Sequence, residues 1–450
     1  MPVRLDFCMK EATIVYEGIV REYDNSLLLK CELERRGYSV DLCYKTETWS
    51  FKKRRGICIL PNGYSTGDID FFRYILNANG NELISLQYEQ VLSQKVEESK
   101  VHIPQGSARD MWLFCWGNRC KERLIENGIT PDKIRVCGAL QLDFLRGEFE
   151  KFYLSREEIA KKYSLNANSK WLFYISSFAY VNNPKVRTDA KGNFSSNFID
   201  SFTEFSEKSY DETMEWFEKI LAEQDDLTII YRPHPVEGET NKIRDLEKKY
   251  PNKFYCISDL SVKQWILCSD HICTWMSTSI AEIFAANKSM FLLRPYPFPT
   301  EMDISICDSP VAIDKYDDFK QSILGYSDIN QMPVTKERID EFYSIENTPA
   351  FIRIADEIDK IYEQAVLKRQ KKFASNRFKF MLKNGFIIKL AVKKVYQWFH
   401  YHLDFQIKSE KIRSKYYVSD WEKSIKHKKD LLNIEKKKRI EEIVEIVHSK

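Results

Sequence analysis

One pattern limits what this chain can fold into: short apolar runs, each followed by a helical stretch, recur from residue 12 to residue 293. ATIVY at 12–16 precedes EYDNSLLLKCELERR at 22–36, where Leu27, Leu28, Cys31 and Leu33 return to one side and Gly37 stops the helix. YSVDLCY at 38–44 alternates as a strand does. GICIL at 56–60, LISLQ at 83–87, MWLFCW at 111–116 and IRVCG at 134–138 extend the series, with a helix over 118–127 closed by Gly128. A charged, helical connector over 143–170 interrupts it. The series restarts with WLFYIS at 171–176, LTIIY at 227–231, then 253–257, 270–275 and SMFLL at 289–293. Helices are predicted over 209–223, 241–250, 261–268, 279–286 and 335–364, and the polar, Asn- and Ser-rich stretch 182–200 reads as a long loop. Apolar strands separated by helices make a parallel sheet with helices on its faces. The fold class predicted is therefore α/β, with two such sheets in series and ligands at the carboxyl ends of their strands.

A chain of 450 residues exceeds what one compact core holds, so two domains and an extra piece are expected: 1–155, 156–365 and 366–450. With 43% hydrophobic and 30% charged residues the chain has the material for packed cores, which excludes a disordered protein. Charge is uneven. Residues 366–450 hold 23 Lys and Arg against 9 Asp and Glu, whereas the rest is mildly acidic. The eleven cysteines stand singly, with no Cys-x-x-Cys pair and no zinc spacing, and read as reduced thiols. The opening MPVRLDFCMKEATIVYEG lacks the apolar core of a signal peptide, and no run of 18 apolar residues occurs. A cytoplasmic protein is expected.

Four clusters at predicted strand ends carry polar chemistry. YRPHPVE at 231–237 sets Arg232 and His234 between prolines, where both can donate to phosphate oxygens. WMSTSIAE places Ser277, Thr278 and Ser279 at a helix start, which favours anions, with Glu282 one turn on, in reach of a ribose hydroxyl. QYEQ at 87–90 offers Glu89 as a base for an acceptor hydroxyl. YEGIVREYDN at 16–25 crowds Glu17, Arg21, Glu22 and Asp24 into one strand-to-helix loop, where they can bind acceptor hydroxyls. Each has a plainer reading: a loop histidine, a plain helix cap, a solvated glutamate, acidic first-turn residues.

REYDNSLLLKCELERRGYSV, WGNRCKERLIENGITPDKIRVCGALQLDFLR, YRPHPVE and CSDHICTWMSTSIAEIFAANKSMFLLRP, spread over residues 12–300, resemble surface carbohydrate biosynthesis proteins of the GT-B superfamily. The resemblance implies a GT-B fold: two Rossmann-like domains facing a cleft, the first for acceptor and the second for a nucleotide-sugar donor. The His-Pro pair followed by a Ser/Thr cluster is similar to bacterial sialyltransferases, Kdo transferases and CDP-glycerol glycerophosphotransferases, where these groups hold a cytidine nucleotide's phosphate. By that likeness Arg232, His234, Ser277, Thr278, Ser279 and Glu282 bind the donor. Glu89, His234, Glu17 and Glu22 are the catalytic candidates, and Arg21 and Asp24 bind the acceptor. Such sialyltransferases carry an acidic pair followed by Gly; here the stretch is Tyr88-Glu89-Gln90, so only Glu89 carries over as base.

The activity implied is metal-independent, cofactor-free transfer of a sugar from a nucleotide donor to a surface polysaccharide or lipid-linked glycan, as in capsule or lipopolysaccharide assembly. Without the Gly-rich phosphate loops of several UDP-sugar enzymes, a CMP-sugar such as CMP-nonulosonate or CMP-Kdo is favoured. A CDP-glycerol-type glycerophosphotransferase and a non-catalytic polysaccharide-assembly protein are the alternatives. The tail 366–450 mixes Lys and Arg with Phe, Trp, Tyr and Ile, which suits an amphipathic helical extension on an anionic membrane surface. Peripheral attachment to the inner membrane face is expected. No nucleic-acid-binding module is recognised there.

Overall fold

A computed structural model describes residues 10–45, 54–192, 194–238, 240–308, 311–325, 332–365, 372–403, 405–409, 411–413, 418, 422, 426–427 and 430–449. The chain divides into two compact units, one drawn from 1–90, 100–143 and 343–450, the other from 91–99 and 144–342.

Unit 1 is built on a six-stranded parallel sheet of β1 (Lys10–Tyr16), β2 (Tyr38–Tyr44), β3 (Ile57–Leu60), β4 (Glu82–Ser85), β5 (Trp112–Cys115) and β6 (Ile134–Val136), in the order β2-β1-β3-β4-β5-β6. The chain leaves β1 toward one edge, then returns to start β3 on its other side. That makes the carboxyl ends of β1 and β3 the topological switch point. Strands β1 and β3 are buried almost throughout, as a sheet with both faces covered requires. One face packs Val15, Cys58, Leu60, Leu83 and Leu113 against Ile69 and Phe72 of the Thr66–Ile75 helix. That helix starts with a capping box, Ser65 and Asp68 satisfying each other's backbone N–H.

Unit 2 repeats the plan with β7 (Lys170–Ile175), β8 (Leu227–Arg232), β9 (Phe254–Cys256), β10 (His271–Thr274), β11 (Phe291–Leu293) and β12 (Ala312–Ile313), in the order β12-β11-β10-β7-β8-β9. Here the switch point falls where β7 meets β10. In register, Ile175 lies beside both Arg232 and Thr274, so the loops after β7, β8 and β10 leave the sheet at one level.

Several expectations change. The stretch 182–200 is not a loop: Asn183 caps a Pro184–Lys191 helix, and Ser195 caps a 28-residue helix, Ser196–Glu223. Its polar residues are caps and a solvent face, while Phe202, Tyr210 and Phe217 are buried. Strand β12, two residues long, was not expected. The predicted 335–364 helix is two, Lys336–Tyr343 and Ala350–Gln364.

The compact units divide after Asp143, where the sequence reading set a boundary near 155, and the described residues from Tyr343 on group with unit 1. The cause is local. Asp143 accepts the N–H groups of Ala350 and Phe351 at 2.9 and 2.8 Å, capping the Ala350–Gln364 helix from a distant part of the chain. Gly138, at φ +82°, leaves room for Arg353, whose guanidinium would lie 2.2 Å from a Cβ there. The basic extension follows. Arg377 donates to the Tyr74 carbonyl at 2.8 Å, the Phe373 and Phe380 rings lie against Tyr74, and His448 of the Leu431–Ser449 helix meets Glu32 at 2.8 Å.

Candidate functional site

Unit 1 gathers its polar candidates around the β1/β3 switch point. Glu22, one turn into the Ile19–Arg35 helix, is 1% exposed. Its carboxylate accepts the backbone N–H of Glu17 at 2.8 Å and of Gly18 at 3.2 Å, and Arg21 donates to it at 2.9 Å. Glu22 therefore anchors the loop that follows β1, and the exposed chemistry falls to its neighbours. Glu17 accepts from Lys45 and, at 2.7 Å, from Asn62, which follows β3 and so bridges the switch point. Arg21 reaches on to Glu89 at 3.5 Å.

Glu89 itself, beyond the end of β4, is 49% exposed and meets His102 Nε2 at 3.3 Å. His102 is held hard: φ is +60° and its ring stacks on Tyr64 at 4.9 Å. Burial pushes the His102 imidazole below its ordinary value, Glu89 pulls the other way and Arg123 adds to the depression. The result is a carboxylate facing solvent with the Arg21 guanidinium on one side and the half-buried His102 imidazole on the other. Such a group can take a proton from a bound hydroxyl. His102 and Asn62 were not among the residues singled out by sequence; both lie in irregular segments without periodicity.

Asp24 does not join this cluster. It is two positions past Glu22, on the opposite side of the helix, and pairs with Lys436 at 3.0 Å. Asp24 thus ties two helices of unit 1 together.

Unit 2 places its candidates on the three level loops. His234 is exposed on the loop after β8. Glu237 fixes that loop: its carboxylate accepts the His234 N–H at 3.1 Å, the Ser176 hydroxyl at 2.7 Å and the Tyr231 hydroxyl. Burial raises the Glu237 carboxyl above its ordinary value, against the pull of these donors. Glu237, three residues after His234, was not among the residues singled out by sequence.

Arg232 is not extended toward a ligand. It donates to the carbonyls of Asp259 and Leu260 at 3.0 and 2.8 Å. Burial lowers it to about 10, with Asp259 opposing. It remains a cation at neutral pH, at the end of the strand that leads to His234.

In the third loop Ser277 Oγ accepts the Ser279 N–H at 3.2 Å, and Ser279 makes no side-chain cap on the Ile280–Ala285 helix. Thr278 is exposed and Glu282 partly buried. Burial raises Glu282, with Lys263 acting against it. The approach to this loop is rigid: Trp275 is buried among Phe178, Phe202 and Phe205, and Arg294 donates to the Trp275 carbonyl at 2.9 Å while gripping Asp303 at 2.7 and 2.9 Å. After β7, the buried Ser177 hydroxyl meets no hydrogen-bond partner among the described residues. Strands β8 and β10 flank β7, so their loops start about 10 Å apart. Among the described residues no group of three or more His, Cys, Asp or Glu is placed to hold a metal ion.

No family model and no curated protein sequence matches the chain. Solved structures do. A His-to-Ala variant of the wall teichoic acid polymerase TagF shares 12% identity over 80% of this chain and 90% of its own, with a TM-score of 0.51. A His-to-Asn variant of TagF shares 13% identity over 79% and 89%, with a TM-score of 0.50. The UDP co-structure of MnaA from S. aureus shares 12% identity over 80% and 99%, at 0.49. The two six-stranded parallel sheets, set in series and matched along most of TagF, are the Rossmann-like α/β units of the GT-B fold.

Proposed function

We propose that the chain is a GT-B transferase that moves a sugar from a nucleotide donor, a cytidine nucleotide favoured, to a hydroxyl of a surface polysaccharide or lipid-linked glycan. The observation that carries this reading is the exposed His234, pinned through its own backbone by Glu237 at the same sheet level as the Ser277–Ser279 turn. In unit 2, His234 and the Ser177 and Thr278 hydroxyls hold the donor phosphates, and Arg232 adds positive charge nearby. Glu282 takes a ribose hydroxyl. These groups stabilise negative charge as it builds on the leaving phosphate. In unit 1, Glu89 takes the proton of the acceptor hydroxyl, while Arg21 and His102 fix its carboxylate and Glu17 binds a second acceptor hydroxyl. The new bond runs from the acceptor oxygen to the anomeric carbon, and the nucleotide leaves with the bonding pair.

A second reading, transfer of a glycerophosphate unit from CDP-glycerol, draws on the fold shared with a teichoic acid polymerase. The same donor groups serve it, but the bond broken is phosphorus–oxygen.

The test is thermal-shift binding of CMP, CDP, UDP and GDP to wild type and His234→Ala. A ligand that binds only the folded state raises the melting temperature. Stabilisation by CMP or CDP that disappears in the variant supports the reading. Preference for UDP or GDP discards the cytidine assignment, and no response to any nucleotide discards the transferase. Product analysis with CMP-sugars against CDP-glycerol then separates the two donors.

A further inference from the structure

The Phe373–Lys383 and Phe386–Leu403 helices are apolar on two faces, and only one of them is covered. The inner face buries Met381, Phe386 and Tyr396 against Ile75 of unit 1, with Phe71 and Phe380 packed alongside. Among the described residues nothing covers the outer face. Phe378, Leu382, Ile388, Val395, Trp398 and Leu403 are each between 55% and 64% exposed. Ile388, Val395 and Trp398 stand at i, i+7 and i+10, which lines them along one stripe of the helix. Phe386 and Tyr396 fall on the opposite side. Single exposed apolar residues are ordinary on a protein surface; large apolar side chains exposed on each of two consecutive helices are not.

Charge says what covers it. From residue 373 to residue 403 there are six Lys and Arg and no Asp or Glu. Lys379, Lys383 and Lys394 are exposed on the flanks of the stripe. A second copy of this chain would set like charges against each other with no acidic residue from these helices to relieve them. A nucleic acid would use the lysines and leave Ile388, Val395 and Leu403 in water. Among the described residues no helix is long and apolar enough to cross a membrane. What remains is a helix pair lying in the plane of a surface that is apolar below and anionic at its rim.

We infer that the outer face of the Phe373–Lys383 and Phe386–Leu403 helices binds an anionic lipid bilayer, with Phe378, Leu382, Ile388, Val395 and Trp398 entering the acyl boundary and the flanking lysines meeting lipid phosphates. This surface is independent of the nucleotide reading and stands or falls separately.

The experiment is co-sedimentation of the full chain with vesicles of phosphatidylcholine alone and of equal parts phosphatidylcholine and phosphatidylglycerol. Two triple variants accompany it, Ile388→Ser/Val395→Ser/Trp398→Ser and Lys379→Gln/Lys383→Gln/Lys394→Gln. Wild type is expected to sediment with the mixed vesicles and not with phosphatidylcholine, and less so as salt rises. Each triple variant is expected to lose at least about tenfold in apparent affinity. A cooperative melt near the wild-type temperature serves as the folding control; should a triple variant fail it, Ile388→Ser and Val395→Ser are read singly. No sedimentation of wild type, or undiminished sedimentation of the apolar variants, overturns the inference. So does a wild-type dimer in light scattering that the apolar variants convert to monomer, because a second copy then covers the face.

Discussion

The Glu237 carboxylate accepts the backbone N–H of His234 at 3.1 Å, while the Glu237 N–H donates to the His234 carbonyl at 2.8 Å. The histidine's main chain is thus clasped at both ends by a residue three positions on, while its ring accepts the Val236 N–H at Nδ1, 3.4 Å away. Replacing Glu237 by Ala also removes the carboxylate that accepts from the Ser176 and Tyr231 hydroxyls, and leaves them only the bond from Tyr231 to Ser176 at 2.8 Å. A loss of about 1–3 kcal/mol of stability is expected, read as a lower urea midpoint. Nucleotide-induced stabilisation should weaken as well, because the ring is no longer held in place.

Arg294 and Asp303 form a buried, two-bond ion pair whose third donor holds the Trp275 carbonyl, two residues before Ser277. Removing one partner leaves the other charged and buried. Asp303→Ala should therefore cost about 3–5 kcal/mol, seen as a steep fall in melting temperature. Replacing both partners together, as Arg294→Met/Asp303→Leu, should recover part of that loss, and a double-mutant cycle measures how much.

Asp24 offers a negative control. Its pair with Lys436 is partly exposed, and such pairs contribute about 0–1 kcal/mol. Asp24→Asn should leave both the melting temperature and nucleotide binding close to wild type. Glu89→Gln should leave stability and nucleotide binding intact but abolish transfer, which product formation checks.

His102 carries a pH dependence. Its imidazole is depressed by burial below the ordinary 6.5, so the unfolded chain takes up a proton at a pH where the folded protein does not. The associated stability is complete above the unfolded value and is lost as the pH falls through the folded one. His102→Asn, a residue that tolerates the positive φ, should flatten the decline in stability between neutral and mildly acidic pH. An unchanged slope in denaturant melts would mean that His102 titrates normally.

Eleven of the twelve described strands were legible, most because a strand covered on both faces leaves an apolar run that needs no context, as in LTIIY of β8, and β2 by its alternation. Strand β12 left none, being Ala312 and Ile313 only. The 182–200 stretch misled because Asn183 and Ser195 mark helix starts as well as loops, and Pro184 sits where a first helical turn accepts it. His234 and Ser277 were legible as polar residues just past apolar runs. Glu237 and His102 were not, since each acts through a contact that only the folded loop creates. The return of residues 343–365 to unit 1 depends on Asp143, some 200 positions earlier. No local pattern announces a contact of that range.

That Asp143 cap has a consequence for biosynthesis. The strands of unit 1 are made first, yet the helix that Asp143 caps emerges only after every strand of unit 2 has been synthesised. On the ribosome, the unit begun earlier is finished later. During that interval the Ile19–Arg35 helix lacks the Ala350–Gln364 helix that it packs against in the finished protein, with Phe351, Ile354 and Ile358 buried. A chaperone survey of nascent chains should find unit 1 retained until residue 364 has cleared the exit tunnel, and unit 2 released before it.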